Sequence, residues 1–186
     1  LCYRMSRSPR KELNFFEGAL RLANHLPVLK IGKHTPRYPL IQGGMGVRIS
    51  GPSLAGAVAR AGGIGTIASV GLAVASDIYN GRNYFEANQV VLRQDVAQAK
   101  KSSKGGIIAV NAMVALTDYD RHVRSACEGG VDMIISGAGL PLRLPELTTG
   151  FPDVALVPIV SSVKAASLII RRWEKLYGRL PDALVV

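Results

Sequence analysis

Short apolar runs alternate with longer amphipathic segments along most of the chain, and this alternation restricts the fold more than any other feature of the sequence. Six runs are rich in Val, Ile and Leu and are bounded by Gly, Pro or Asp. They are Tyr38–Gln42, Ile64–Ser69, Gly106–Asn111, Val131–Ser136, Ala155–Val160 and Ala183–Val186. Runs of this length and composition are typical of strands that are buried on both faces.

Four segments between these runs have the spacing and the end signals of helices. They are Pro52–Ala61, with Leu54, Val58 and Ala61 on one face; Tyr84–Lys101, with Val90, Val91, Ala97 and Lys101 in its amphipathic pattern; Tyr119–Cys127; and Val163–Tyr177, which Gly178 ends. Strands that alternate with helices indicate βαβ units and a parallel sheet. Right-handed crossovers then leave two architectures, an open doubly wound sheet and a (β/α) barrel.

Small or polar residues stand at the carboxyl ends of the predicted strands, where both architectures bind ligands. They are Gly43-Gly44, Ser69, Asn111, Ser136-Gly137 and Ser161-Ser162. No strand is followed by a GxGxxG or GxxxxGK[ST] loop, and this favours the barrel. The nearest match, Gly62–Gly65, precedes a strand, so we interpret it as a helix C-cap and strand entry. Because a closed barrel needs eight units and ~250 residues, we expect an α/β fold of the (β/α)8 TIM-barrel type, truncated after about six strands.

The composition excludes several other classes of protein. Apolar residues make up 48% of the chain and charged residues 19%, which excludes a disordered chain. Two cysteines, Cys2 and Cys127, are too few for a disulfide framework and lack the spacing of zinc ligands. The longest near-apolar stretch, Gly105–Leu116, is shorter than the ~20 residues of a membrane span, and no secretory signal opens the sequence. We therefore expect a cytoplasmic protein without a membrane partner.

The formal net charge of +10 is concentrated towards the N-terminus. Residues 1–39 contain eight Lys/Arg and two Glu, a net charge of +6, whereas residues 40–186 contain fifteen Lys/Arg and eleven Asp/Glu, a net charge of +4. No basic stripe with interleaved aromatic residues follows, so the pattern favours a solvated leader over an arm that binds nucleic acid. We predict a basic leader over residues 1–36 and a folded region over residues 37–186.

Two neighbouring segments, Tyr38–Gly46 (YPLIQGGMG) and Leu54–Gly65 (LAGAVARAGGIG), resemble the nitronate monooxygenase family. This family was formerly called the 2-nitropropane dioxygenases and includes the related FMN-dependent enoyl-ACP reductases. The similarity covers about residues 36–186 and continues through Asn111–Met113, Ile135–Pro141, Val157–Ser162 and Pro181–Val186. It implies that residues 37–186 are the N-terminal portion of a TIM barrel that holds FMN over the carboxyl ends of its strands.

Five residues are expected to contact the flavin of such a barrel: Gly43, Gly44, Met45, Asn111 and Gly137. Glycines without a Cβ allow the backbone to approach a flat ring closely. The flexible, polarizable side chain of Met45 suits contact with an aromatic ring, and the amide of Asn111 offers both a donor and an acceptor. Gly137 would let the loop after the fourth predicted strand pass beside the ring.

The family's catalytic base is a histidine in a Gly-rich loop after the sixth strand, and its phosphate site lies after strands seven and eight. This chain ends at Val186, before those positions. His25 and His34 lie in the leader and His122 lies in the middle of a predicted helix, so none replaces the base, and Lys164 receives no role. We therefore leave the catalytic residues unassigned, expect no metal site and expect weak FMN binding by this chain alone.

The resemblance implies an FMN-dependent oxidoreductase that oxidises alkyl nitronates with oxygen, a small-molecule substrate. One alternative is an FMN-dependent enoyl-ACP reductase that takes hydride from NAD(P)H. Another is a non-catalytic half-barrel or binding module, which would self-associate through its open sheet edges. A third, weaker reading is a barrel of the inosine monophosphate dehydrogenase type. That reading requires a catalytic cysteine on a loop, whereas Cys127 lies at the end of a predicted helix.

Overall fold

The computed structural model describes residues 26–186, and its centre is a parallel sheet of four strands. The strands are β1 (Ile64–Ala68), β2 (Ile107–Met113), β3 (Met133–Gly137) and β4 (Ala155–Pro158). They lie side by side in chain order, β1-β2-β3-β4, and every pair is parallel. The predicted parallel α/β fold is therefore confirmed, and the strand order does not reverse within this sheet.

The first and last predicted strands are shorter than the sequence indicated. Ile41 pairs with Ile64, and Val185 pairs with Ile159, each as a single parallel bridge and not as a regular strand. Pro39 has no N–H to donate to a ladder, and Leu40 is 62% exposed, so the first run is not buried on both faces as predicted. The sheet is thus flanked on both sides by short paired segments, in the order that the sequence predicted.

Within the described part of the chain, five helices accompany the sheet: α1 (Pro52–Ala61), α2 (Tyr84–Ser103), α3 (Tyr119–Glu128), α4 (Leu144–Leu147) and α5 (Val163–Tyr177). Four of them confirm the predicted helices, two with identical bounds, whereas the single turn of α4 and a 3-10 turn at Ala73–Ala75 were not predicted. Gly62 adopts a left-handed conformation (φ 105°) at the end of α1, as the C-cap interpretation required.

The sheet has a helix-covered outer face and an inner face with its own apolar cluster. The outer face and the helices bury the larger core, which includes Ile67, Val110 and Trp173. The inner face carries Ile64, Ala109, Met133, Ile135, Ala155 and Val157. Ile31, which is 2% exposed, belongs to this inner cluster, so part of the segment predicted as leader packs against the sheet.

Helix α1 lies directly against the backbone of the sheet. A Cβ on Gly65 would overlap the carbonyl oxygen of Ala55, and a Cβ on Gly106 would stand 2.5 Å from that of Ala59. The buried residues of α1 are consequently small, and Leu54 is 40% exposed. The predicted apolar face of this helix, Leu54 with Val58 and Ala61, is wrong for this reason.

Among residues 26–186, no helix combines the length and the apolar composition that crossing a membrane requires.

Candidate functional site

The candidate site lies at the carboxyl ends of β1 to β3, on the inner face of the sheet. Asn111 is two residues beyond Ala109 and Gly137 is two residues beyond Ile135, so both share the face of those inner residues. In the register of the sheet Asn111 pairs with Ile135, and Gly137 pairs with Met113. The two predicted site residues therefore stand on adjacent strands, two positions apart.

Gly44 and Asn111 are in direct contact. A Cβ on Gly44 would lie 2.6 Å from the Cβ of Asn111 and 3.0 Å from its Cγ, so only glycine fits this position. The Asn111 side chain is half-buried, and its amide makes no hydrogen bond to any other residue that the structure describes. A half-buried amide with unused donors and an unused acceptor is suited to a polar ligand.

Gly43, Met45 and Gly137 differ in what surrounds them. No atom of the described residues lies within 4 Å of the place where a Cβ on Gly43 would stand, so this backbone is open to an incoming group. Met45 is 49% exposed beside it. By contrast, a Cβ on Gly137 would stand 2.9 Å from Cδ1 of Ile159, so the space above Gly137 is filled by that side chain. The structure thus brings Gly43, Gly44, Met45 and Asn111 together, with Gly137 to one side.

Ser50 fixes the loop that carries these glycines, a role that no sequence pattern indicates. Its buried hydroxyl donates to the carbonyl of Gly43 (3.0 Å) and accepts from the backbone N–H of Met45 (2.9 Å) and from Nε2 of Gln42 (3.1 Å). The Gln42 amide in turn bonds both backbone groups of Thr66 in β1. The loop is therefore attached to the sheet through side chains and not only through its own backbone.

An ion pair attaches the same loop to α2. Nη1 of Arg48 lies 2.8 Å from Oδ2 of Asp95, and the Asp95 side chain is 8% exposed whereas that of Arg48 is 32% exposed. Burial raises the pKa of Asp95, and the Arg48 charge opposes that rise. The pairing explains how a carboxylate can sit in the interface between this loop and a helix.

The loop after β1 interlocks with the loop that carries the glycines. A Cβ on Gly46 would overlap Cγ1 of Val70, and a Cβ on Gly71 would stand 2.9 Å from Cγ2 of Val47. The N–H of Ser69, at the start of the second loop, donates to the carbonyl of Asn111 (3.1 Å). Both loops and the end of β2 therefore form one contiguous rim on the candidate site.

The remaining candidate groups lie elsewhere. His34 pairs with Ile31 through its backbone, and the neighbouring Lys33 pairs with Asp153 before the amino end of β4, so His34 lies at the opposite end of the sheet from the candidate site. His122 is buried in α3, and His25 falls outside the described residues. Burial raises the pKa of the Cys127 thiol to about 12, so Cys127 does not offer a reactive thiolate near neutral pH. Within residues 26–186, no cluster of His, Cys, Asp or Glu could hold a metal ion.

Comparison with known families shows to which family the chain belongs. The sequence profile described as nitronate monooxygenase matches residues 28–186. The chain belongs to the nitronate monooxygenase family. Members of this family are in general FMN-dependent oxidoreductases. The matched segment includes Gly43, Gly44, Met45, Asn111 and Gly137, so every predicted contact lies inside the family's domain.

Solved structures resemble this nitronate monooxygenase domain in fold. FabK from Thermotoga maritima superimposes with a TM-score of 0.58 at 24% identity, covering 72% of this chain and 37% of FabK. A variant of the same FabK gives a TM-score of 0.58 at 23% identity, covering 82% of this chain and 43% of the variant. Nitroalkane oxidase from Streptomyces ansochromogenes gives a TM-score of only 0.35 at 16% identity, covering 89% of this chain and 66% of the oxidase. The chain spans less than half the length of FabK, and no curated protein matches it.

Proposed function

We propose that this chain supplies the flavin-ring side of an FMN-dependent oxidoreductase that oxidises small alkyl nitronates with oxygen. The observation that carries the proposal is the half-buried Asn111 amide, held against Gly44 at the carboxyl ends of the strands without a hydrogen-bonding partner among the described residues. Membership of the nitronate monooxygenase family supports the same reading. In this proposal the parallel sheet is the first part of a (β/α)8 barrel.

The residues present fit a flat, polar-edged ring. Gly43 leaves its backbone uncovered, so a planar group can lie close to it, and Asn111 occupies the space beside Gly44. Met45 would contact the ring with a soft thioether, and Asn111 would bond its amide edge. Gly137 leaves room for the Ile159 side chain, so in this proposal it borders the ring site at the end of β3. FMN, when bound there, would supply the electron transfer between substrate and oxygen.

The proposed substrate class is supported by the family of the chain and by the chemistry of nitronates. A nitronate is the conjugate base of a nitroalkane, so its oxidation requires no removal of a proton from carbon. His34 lies near the amino ends of the strands and His122 is buried in α3, so we assign no described residue as a base at this site. The chain's own residues then need only bind and orient an anion that is already formed. A neutral nitroalkane would require a base from outside the described residues.

The proposal is tested first by titrating FMN with the purified chain and following flavin fluorescence. Gly43→Leu places a side chain over the candidate face without meeting an atom of the described residues within 4 Å of its Cβ. Gly150 has equally open surroundings in the part of the chain that the structure describes, so Gly150→Leu is the matched control. We expect Gly43→Leu to weaken FMN binding at least about tenfold, a change of ~1.4 kcal/mol. Equal affinities for both variants would place the flavin elsewhere.

Activity is tested separately by oxygen uptake in the presence of FMN and a small alkyl nitronate. Uptake that depends on the nitronate, and that Gly43→Leu abolishes while Gly150→Leu does not, is the expected result. Oxidation of NADPH that depends on an enoyl thioester, without uptake of oxygen with the nitronate, would assign the reductase reaction instead. Flavin binding with neither activity would make this chain a binding module.

A further inference from the structure

A buried polar cluster lies behind the candidate site, between α2 and the start of α3. It consists of Asn88, Asp118 and His122, which are 0%, 7% and 1% exposed. Nδ2 of Asn88 donates to Oδ2 of Asp118 (3.4 Å). Nε2 of His122 lies 2.9 Å from the same oxygen, but neither ring nitrogen of His122 makes a regular hydrogen bond to a described residue. Three polar side chains in a helix interface lower stability unless their groups are paired, so their arrangement requires an explanation.

The cluster reaches the candidate site through one backbone group. Oδ1 of Asn88 accepts a hydrogen bond of 2.7 Å from the N–H of Ala73, which begins the 3-10 turn after β1. The residues immediately before Ala73 form the loop in which Val70 and Gly71 interlock with Gly46 and Val47. Asn88 therefore holds the loop after β1, and the Arg48–Asp95 ion pair holds the loop that carries the glycines.

The direction of each contact shows how the cluster is ordered. Asn88 uses its acceptor on Ala73 and its donor on Asp118, so the amide can take only one orientation. Asp118 precedes α3, and its carbonyl accepts from the N–H of His122. The histidine thus stands one helical turn behind the carboxylate that orients Asn88. An apolar residue at position 88 would fill the same space but would leave the Ala73 N–H unbonded.

We infer that Asn88, oriented by Asp118 and His122, is a positioning residue that sets the loop after β1 and, through the interlocked valines and glycines, the Gly44–Met45 segment of the flavin face. This inference rests on the proposed function for its consequence, since a displaced Gly44–Met45 segment would weaken FMN binding. The positioning of the loops themselves does not depend on FMN. The two parts can therefore be measured separately.

The experiment measures amide hydrogen exchange in residues 43–50 and 69–75 of the whole chain, without flavin, followed by FMN titration. Asn88→Leu removes both hydrogen bonds of the amide. The control is Asp132→Asn, which perturbs a polar cluster at the opposite end of the sheet, where Asp132 accepts from the Ile108 N–H (2.8 Å) and pairs with Lys100 (2.6 Å). Comparing the variants in denaturant at matched global stability separates local positioning from general destabilisation.

We expect Asn88→Leu to speed exchange in both loops at least tenfold relative to Asp132→Asn, and to weaken FMN binding by a similar factor. Unchanged exchange in both loops would overturn the inference. Faster exchange together with no flavin binding by the wild-type chain would retain the positioning role and reject the proposed function.

Should Asn88→Leu fail to fold, a pair of variants at position 122 tests the positioning role of the cluster. His122→Gln places an amide N–H near the position of Nε2, within reach of the Asp118 carboxylate, whereas His122→Leu offers no polar group there. Slow exchange in the glutamine variant and at least threefold faster loop exchange in the leucine variant are expected. Equal exchange in the two variants would exclude a role for the histidine in orienting Asn88 and would overturn the inference.

Discussion

The position of Asn111 is set by the absence of a side chain on Gly44, because a Cβ at residue 44 would lie 2.6 Å from the Cβ of Asn111. The Gly43-Gly44 pair and Asn111 follow different apolar runs in the sequence. In the structure they form one unit. The contact crosses β1, which lies between the first apolar run and β2. Any change at residue 44 therefore acts on the amide that we propose for the flavin.

Replacing Gly44 with alanine is expected to lower the free energy of unfolding by about 1–3 kcal/mol, as overpacking does in a filled interior. Gly43→Ala is the control, since no described atom lies within 4 Å of its Cβ, and it should leave stability nearly unchanged. The overlap involves the Cβ of Asn111, so Asn111→Gly should relieve it and Asn111→Ala should not. Urea denaturation of the four single variants and two double variants measures these couplings. Additive effects in both double variants would show that the two residues do not touch.

Replacing Ser50 with alanine should loosen the glycine loop without changing the sheet. The variant loses three hydrogen bonds and leaves the Gly43 carbonyl and the Met45 N–H without their partner, which costs about 1–3 kcal/mol. Ser53→Ala, an exposed change in the first turn of α1, is the control. Hydrogen exchange at Met45 should rise in the first variant only. Protection of that amide in Ser50→Ala would mean that the loop is held by other contacts.

His122 is expected to make the stability of the chain depend on pH in the acid range. Burial lowers the pKa of His122 below its usual 6.5, and the Asp118 carboxylate opposes that shift. The unfolded chain then takes up a proton at higher pH than the folded chain, so stability falls as the pH decreases through 6.5 towards the folded pKa. Urea midpoints between pH 7.5 and 5 should fall less steeply for His122→Gln than for the wild type. Parallel curves for the two proteins would show that this histidine titrates alike in both states.

Gly65→Ala is expected to prevent stable folding, because its Cβ would overlap the carbonyl of Ala55 and force α1 away from the sheet. The control is Gly150→Ala, because no described atom lies within 4 Å of the position of its Cβ. Circular dichroism and thermal unfolding compare the two. A cooperative transition for Gly65→Ala within a few degrees of the wild type would show that α1 can move outward at little cost.

Most of the backbone organisation could be predicted from the sequence, because strands and helices of this fold have different apolar periods and clear end signals. Pro52 and Gly178 mark helix ends that the structure places at the same residues. The face of α1 could not be predicted in this way. Hydrophobicity alone predicts that Leu54 faces the sheet. The buried face of α1 instead carries the small residues Ala55 and Ala59, because this helix packs closely against glycine backbone.

The candidate site was only partly predictable for a related reason. Glycines and an asparagine at strand ends are visible signals, since few other roles require them together. Ser50, Asn88 and Asp95 are ordinary residues whose importance comes from contacts across 7, 15 and 47 positions of the chain. Such pairings depend on the packed arrangement of loops and helices, which spacing along the sequence does not encode.

The interlocked loops also determine how this rim can change during evolution or engineering. Each loop contributes one valine and one glycine, and each valine occupies the space that the opposite glycine leaves. A larger residue at position 46 therefore requires a smaller one at position 70, and the left-handed backbone of Gly71 (φ 68°) limits compensation for changes at Val47. Relatives that recognise a different ligand edge should differ in both loops together, and libraries that vary one loop alone should yield mostly variants with a displaced rim.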